Sequence, residues 1–182
     1  VDLFGLTANQ ARDRFPTLYQ HVLDRVRPTR DQNKRKSYRE QWWLHAEARP
    51  TFREASNQLD RYIATSEVSK HRTFVFLDGD ILPDGALIAI ASDDAFHLGV
   101  LASRIHEVWS FGAGGRMGVG NDTRYTSTKT FRPFPFPDAT DDQRDAVRQL
   151  GERLDAHRAR VQAEHPTITL TGLHNALAAV RD

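Results

Sequence analysis

A change of texture along the chain limits its fold more than any single motif. Residues 73–77 (Thr73, Phe74, Val75, Phe76, Leu77) are β-branched and aromatic and run into the turn Asp78–Gly79–Asp80, which predicts a strand and its exit. Pro83–Asp84–Gly85 is a second strong turn, and residues 86–91 form a short apolar strand candidate. Strand texture returns at residues 125–131. On either side the apolar spacing becomes helical. Phe15, Leu18, Tyr19, Val22 and Val26 mark one face, with a helix start near Pro16, and Val147, Leu150 and Leu154 mark another. The expected class is α+β, a small β-rich core with flanking helices. The expected division is a helical and basic connector (residues 1–62), a core (63–137) and a C-terminal helical segment (138–182).

Finer expectations follow from local chemistry. Ser92–Asp93–Asp94 caps a helix over residues 95–109, with Phe96, Leu98, Val100, Leu101, Ile105, Val108 and Trp109 apolar. Gly112 to Gly115 reads as flexible, leading into a polar loop to about Thr123. Thr171 is a candidate cap for a last helix over residues 173–180, beyond the break at Pro166. The stretch after Pro28 lacks apolar periodicity and reads as a loop leading to Tyr38, Trp42 and Trp43. Paired tryptophans there serve as a hinge or pack on a nucleotide, with burial expected for at least one.

Charge is unevenly spread. Formal net charge is +1, yet residues 25–39 hold seven basic side chains (Arg25, Arg27, Arg30, Lys34, Arg35, Lys36, Arg39) against Asp31. Residues 138–155 reverse the sign, with six carboxylates against Arg144, Arg148 and Arg153. This asymmetry suggests one polyanion-facing region and one solvent-facing region; a solvated basic helix without a partner is the alternative. There is no cysteine, which excludes disulfides and cysteine-ligated zinc. No apolar run suits a membrane helix and no signal peptide opens the chain, so no membrane partner and a cytoplasmic location are expected. The chain opens on Val1 and holds one methionine, Met117, and is expected to be part of a longer polypeptide.

Enzyme signals fail on context. Phe111–Gly112–Ala113–Gly114–Gly115 superficially matches a nucleotide-cradling glycine loop, but such a loop follows a strand and opens a helix. Here it follows a helix. The eight histidines form no i, i+4 pair and no HExxH, so neither catalytic residues nor a metal site are expected. Binding logic is better served. Ser69–Lys70–His71–Arg72 gathers donors before a strand, suited to phosphates or to guanine. The loop from Arg116 to Arg124 offers arginine for guanine, Asn121 for adenine and Asp122 for cytosine, with glycines that admit close backbone approach. Arg124 either reads a base or anchors the loop on a carboxylate such as Asp122.

An ordered set of segments carries a family resemblance. Arg61–Tyr62–Ile63–Ala64–Thr65, Ser69–Lys70–His71–Arg72, Ile90–Ala91–Ser92–Asp93–Asp94 and Leu98–Gly99–Val100–Leu101–Ala102–Ser103–Arg104 come first. His106, Trp109, Gly114–Gly115–Arg116, Arg124–Tyr125–Thr126 and Phe134–Pro135–Phe136–Pro137 follow. Together they resemble the target-recognition region of the MmeI-like type IIL/IIG restriction-modification methyltransferases, with Pro28, Arg30, Trp42 and Trp43 fitting its upstream joining segment. The resemblance implies a parent enzyme that uses S-adenosylmethionine to methylate adenine in a short target, with a nuclease often fused to it. The family's Asn-Pro-Pro-Tyr/Phe catalytic motif is absent here, so this chain is expected to carry specificity without catalysis and to need no cofactor of its own. The implied function is sequence-specific recognition of double-stranded DNA, the other partner being a methyltransferase domain of the same polypeptide. The expected DNA-binding residues are Lys34, Arg35, Lys36, Arg39, Lys70, His71, Arg72, Arg116, Asn121, Asp122 and Arg124. Family base readers lie in the loop that ends at the Arg124–Tyr125–Thr126 pattern. Residues 118–123 depart from the family's acidic-plus-arginine pattern, which blocks transfer of base assignments. The alternative is a protein-interaction or structural module without DNA specificity.

Overall fold

A computed structural model describes residues 2–46, 48–117 and 122–181. The chain divides into two compact units, Val1–Thr51 and Phe52–Asp182. The expected α+β class is observed. Among the described residues, helices occur in both units and the second unit also holds two three-stranded antiparallel sheets.

The first unit is helical. Helix α1 (Ala8–Arg14) opens on a capping box in which Thr7 and Gln10 satisfy each other's backbone amides, and α2 (Pro16–Arg25) starts at its proline. The stretch expected to be a loop instead forms two one-turn helices, α3 (Arg27–Asp31) and α4 (Lys36–Glu40). Local polar contacts replace the missing apolar face. Arg27 pairs with Asp31 at 3.4 Å and Lys36 with Glu40 at 3.6 Å, while Arg39 Nη1 donates to the carbonyls of Asn33 (2.6 Å) and Lys34 (3.1 Å). Trp42 is buried against Tyr19 and Trp43, with the Arg27 guanidinium over its ring, so one tryptophan is buried as expected.

The second unit begins near α5 (Pro50–Ser56). Its first sheet has the order β3-β1-β4, with β1 (Arg61–Ser66) between β3 (Val75–Asp78) and β4 (Leu87–Ile90). Strand β1 starts inside the stretch read as helical, and Tyr62, Ile63, Ala64 and Thr65 are all buried. The second sheet has the order β2-β6-β5, joining β2 (Val68–Ser69), β6 (Asp122–Arg124) and β5 (Gly115–Met117). The polar loop expected before Thr123 is therefore in part a strand pair.

Two further expectations are corrected. The single helix over residues 95–109 is broken into α6 (Ala95–Leu101) and α7 (Arg104–Ala113). The break has its own caps: Ser103 accepts from the His106 amide, and His106 Nδ1 donates to the Leu101 carbonyl at 2.9 Å. Residues 125–131 do not continue as a strand; Ser127–Phe131 is a π-helical turn whose cap, Thr126, accepts from the Lys129 amide. Ile63, Phe74, Leu98, Leu101 and Tyr125 form the main core, and Phe96, Val100 and Phe134 a second cluster.

The long helix α8 (Asp141–Glu164) opens on a Thr140–Gln143 capping box. Arginines fasten it to the core. Arg148 binds both oxygens of Asp94 (2.8 and 3.1 Å), Arg61 pairs with Glu152, and Arg158 Nη1 donates to the Phe74 carbonyl at 2.8 Å. Asp94 also accepts the Phe96 amide as the α6 cap, and the Arg148 guanidinium holds its carboxyl at about 2. The last helix, α9 (Leu170–Arg181), starts earlier than expected. Thr169, rather than Thr171, accepts the Gly172 amide at the helix start (3.0 Å).

Candidate nucleic-acid interface

The second sheet brings together two segments about fifty residues apart in sequence. In its register Val68 lies opposite Arg124 and Ser69 opposite Thr123; on the other side Gly115 faces Arg124, Arg116 faces Thr123 and Met117 faces Asp122. Lys70 and His71 follow β2 at the end where it lies beside the start of β6. Strand alternation puts Asp122 and Arg124 on one face and Arg116, opposite Thr123, on the other. Lys70, Arg116 and Arg124 are exposed, His71 and Asp122 half-buried. Asn121, with Gly118 to Gly120, lies outside the described residues.

Arg72 sits apart from these. It is only 6% exposed, and both of its terminal nitrogens donate to the chain, while Nε is buried without a hydrogen-bond partner among the described residues. Nη1 donates to Thr65 Oγ1 (3.1 Å) and to the Ser66 carbonyl; Nη2 donates to the Thr123 carbonyl (3.0 Å) and hydroxyl (3.3 Å). Its guanidinium lies 5.0 Å from the Tyr125 ring centroid. These hydrogen-bond partners are neutral, and burial pulls the pKa down to about 10, which leaves the group charged at neutral pH. Arg72 thus ties β1 of the first sheet to β6 of the second. Sequence reading recognises an arginine in a basic cluster but has no signal for such a contact across sheets.

Arg124 is held by a carboxylate, and the partner is Glu67 rather than Asp122: Nε donates to Glu67 Oε1 at 2.7 Å. Lys70 Nζ donates to Asn175 Oδ1 at 3.1 Å, and His71 Nε2 donates to the same oxygen at 2.8 Å. The His174 ring lies 5.7 Å from that of His71. Glu67, His174 and Asn175 thus belong to this surface although no motif marks them. The only hint at Asn175 is a poor helix former inside a terminal helix.

Beneath the surface, His106 is fully buried. Its Nδ1 proton goes to Leu101, so Nε2 is the acceptor for the Tyr125 hydroxyl at 3.0 Å. Burial lowers the His106 pKa and raises that of Tyr125. This fixed pair anchors the residue that follows Arg124.

The basic residues of the first unit are also exposed, but not all are unengaged. Arg35 Nη1 donates to the Tyr38 hydroxyl at 2.8 Å, Arg39 holds two carbonyls and Lys36, at the start of α4, pairs with Glu40, while Lys34 lies in the α3–α4 link. The glycines at 112–115 end helix α7 and lead into strand β5, the reverse of the order a nucleotide-cradling loop requires. A Cβ on Gly114 would meet the Ser110 and Arg124 carbonyl oxygens at 2.6 and 2.9 Å. The space that glycine leaves is filled by the chain's own backbone.

No curated protein matches the chain. Among solved structures it is similar to one described as the structure of the Type IIL restriction-modification enzyme MmeI in complex with DNA. The TM-score is 0.69 at 19% identity, over 94% of this chain and 22% of that one. At that identity the likeness concerns the fold, and this chain spans about a fifth of the other's length. Residues 7–138 match the family model described as MmeI, target recognition domain. With well over half of its length inside that match, the chain belongs to the MmeI target-recognition domain family.

Proposed function

We propose that this chain reads the sequence of double-stranded DNA, as the specificity segment of an S-adenosylmethionine-dependent adenine methyltransferase or restriction-modification enzyme. The observation that carries the reading is the convergence of Lys70, His71, Asp122 and Arg124 on one small sheet. A two-stranded ribbon or loop cluster of this size enters a major groove, where arginine forks onto guanine, asparagine onto adenine, and a carboxylate accepts from cytosine. Asp122 and Arg124 supply two of those groups from one face of the sheet, Lys70 and His71 beside the start of β6 serve phosphate or base, and Arg116 and Asn121 are further candidates. Arg72 supports this surface from beneath. Lys34, Arg35, Lys36 and Arg39 neutralise phosphates and set register without reading sequence. Methyl transfer belongs to another domain of the same polypeptide, which flips the target adenine out of the duplex.

The test is a titration of labelled duplex DNA with the 182-residue chain at several salt concentrations. Binding that weakens with salt, with a log–log slope of about −0.9 for each phosphate neutralised, is expected. Absence of binding, or binding indifferent to salt, would assign the surface to a protein partner instead.

A further inference from the structure

The proposed reading requires Arg124 to hold one orientation, since forked recognition of guanine depends on the angle of the guanidinium as well as on its charge. An arginine side chain on a short strand is otherwise free to rotate, and Arg124 is about half exposed (51%). Glu67 meets that requirement. It lies between the end of β1 and the start of β2, and its backbone is held from both sides. Its amide donates to the Ala86 carbonyl at 2.7 Å, and its own carbonyl accepts the Tyr125 amide at 2.7 Å. Its neighbour Ser66 is held by buried Arg72. From this fixed point the carboxylate, at 26% the more buried partner, takes Arg124 by Nε. The edge formed by Nη1 and Nη2, which matches guanine O6 and N7, makes no hydrogen bond among the described residues.

We infer that Glu67 is a positioning residue for base recognition: it grips Arg124 by Nε so that the Nη1–Nη2 edge is presented to a guanine. The pairing also offsets the arginine's charge. Arg124 then contributes little to attraction for phosphates anywhere on the duplex and acts through direction. This inference rests on the reading of Arg124 as a base contact.

The experiment uses the full chain with Glu67→Ala, Glu67→Gln, Arg124→Ala and the Glu67→Ala/Arg124→Ala double variant. Affinities are measured for the duplex that wild type prefers and for its single-base replacements, alongside thermal melts and the salt slope. Arg124→Ala is expected to lose about five- to 150-fold discrimination at one guanine. Glu67→Ala loses most of that discrimination at the same base, and the double variant is no worse than Arg124→Ala alone. Glu67→Gln keeps an oxygen acceptor for Nε and so keeps the preference. Its salt slope steepens by up to about 0.9, because the arginine charge is no longer offset. If Arg124→Ala loses the preference and Glu67→Ala keeps it, the positioning role is overturned and the functional reading stands. If Glu67→Ala weakens every sequence alike while its melting temperature falls, Glu67 is a structural residue and the inference is again overturned. A wild-type preference that survives Arg124→Ala, or a wild type with no preferred duplex, sinks the reading on which the inference rests.

Discussion

Arg72 and His106 are polar side chains in the interior, and each is held by partners from more than one element. Arg72→Ala removes a cation but leaves the carbonyls of Ser66 and Thr123 and two threonine hydroxyls without their donor. A buried acceptor so orphaned costs about 1–3 kcal/mol, so the variant is expected to lose about 3 kcal/mol in denaturant unfolding and to bind all DNA sequences less well. Selective loss at one base would instead make Arg72 a reader. His106 gives a pH signature. Its folded pKa is depressed below the ordinary 6.5, so on acidification the unfolded chain takes up the proton first. Stability is therefore complete above about pH 6.5 and falls as pH drops through that value toward the folded pKa. Unfolding free energies measured between pH 7.5 and 5.5 check this, and His106→Gln is expected to flatten the decline.

Packing of α6 against α8 depends on two glycines. A Cβ on Gly151 would lie 2.2 Å from the Ala95 carbonyl oxygen, and one on Gly99 would meet Val147 Cγ1 at 2.8 Å. Alanine in an exposed helix gains about 1 kcal/mol over glycine, but here the obstruction is backbone, and relief requires the helices to part. Gly151→Ala is expected to lower the melting temperature, at a net cost of about 1–2 kcal/mol. Gly112→Ala, with nothing within 4 Å of its Cβ, is expected to be neutral or stabilising. A Gly151→Ala protein as stable as wild type would refute the close approach. At this scale the sequence is partly legible. Turn residues and β-branched runs locate β3 and β4, and capping chemistry locates α6 and the α8 region. Strand β1 is missed because its four middle residues are all buried and show no alternation. The break between α6 and α7 is missed because the apolar spacing runs through it, while Ser103 and His106 interrupt the helix by hydrogen bonds. The turn at Ser127–Phe131 has β-forming residues overridden by the Thr126 cap.

Across the whole molecule, charge distribution and the proposed recognition surface are expected to make separable contributions. Replacing Lys34, in the α3–α4 link, and Lys36, the first residue of α4, with glutamine is expected to weaken binding about equally on all duplexes. The salt slope should flatten by about 0.9 for each phosphate no longer neutralised. Unchanged binding would assign both lysines to solvent. The ordered motifs between Arg61 and Pro137 make the family legible in the sequence, since strand pairing brings them into one framework. The inner workings of the surface are less legible. Glu67, Asn175 and the interior position of Arg72 depend on hydrogen bonds spanning 57, 105 and 51 residues, and no local pattern encodes those. The central claim is that this framework reads bases, and selection of bound sites from a random duplex pool tests it most directly. Wild type is expected to enrich one short motif. Arg124→Ala is expected to melt with wild type and to enrich the same motif with a single position relaxed. A stable variant that enriches the unchanged motif, or a wild type that enriches none, would contradict the account.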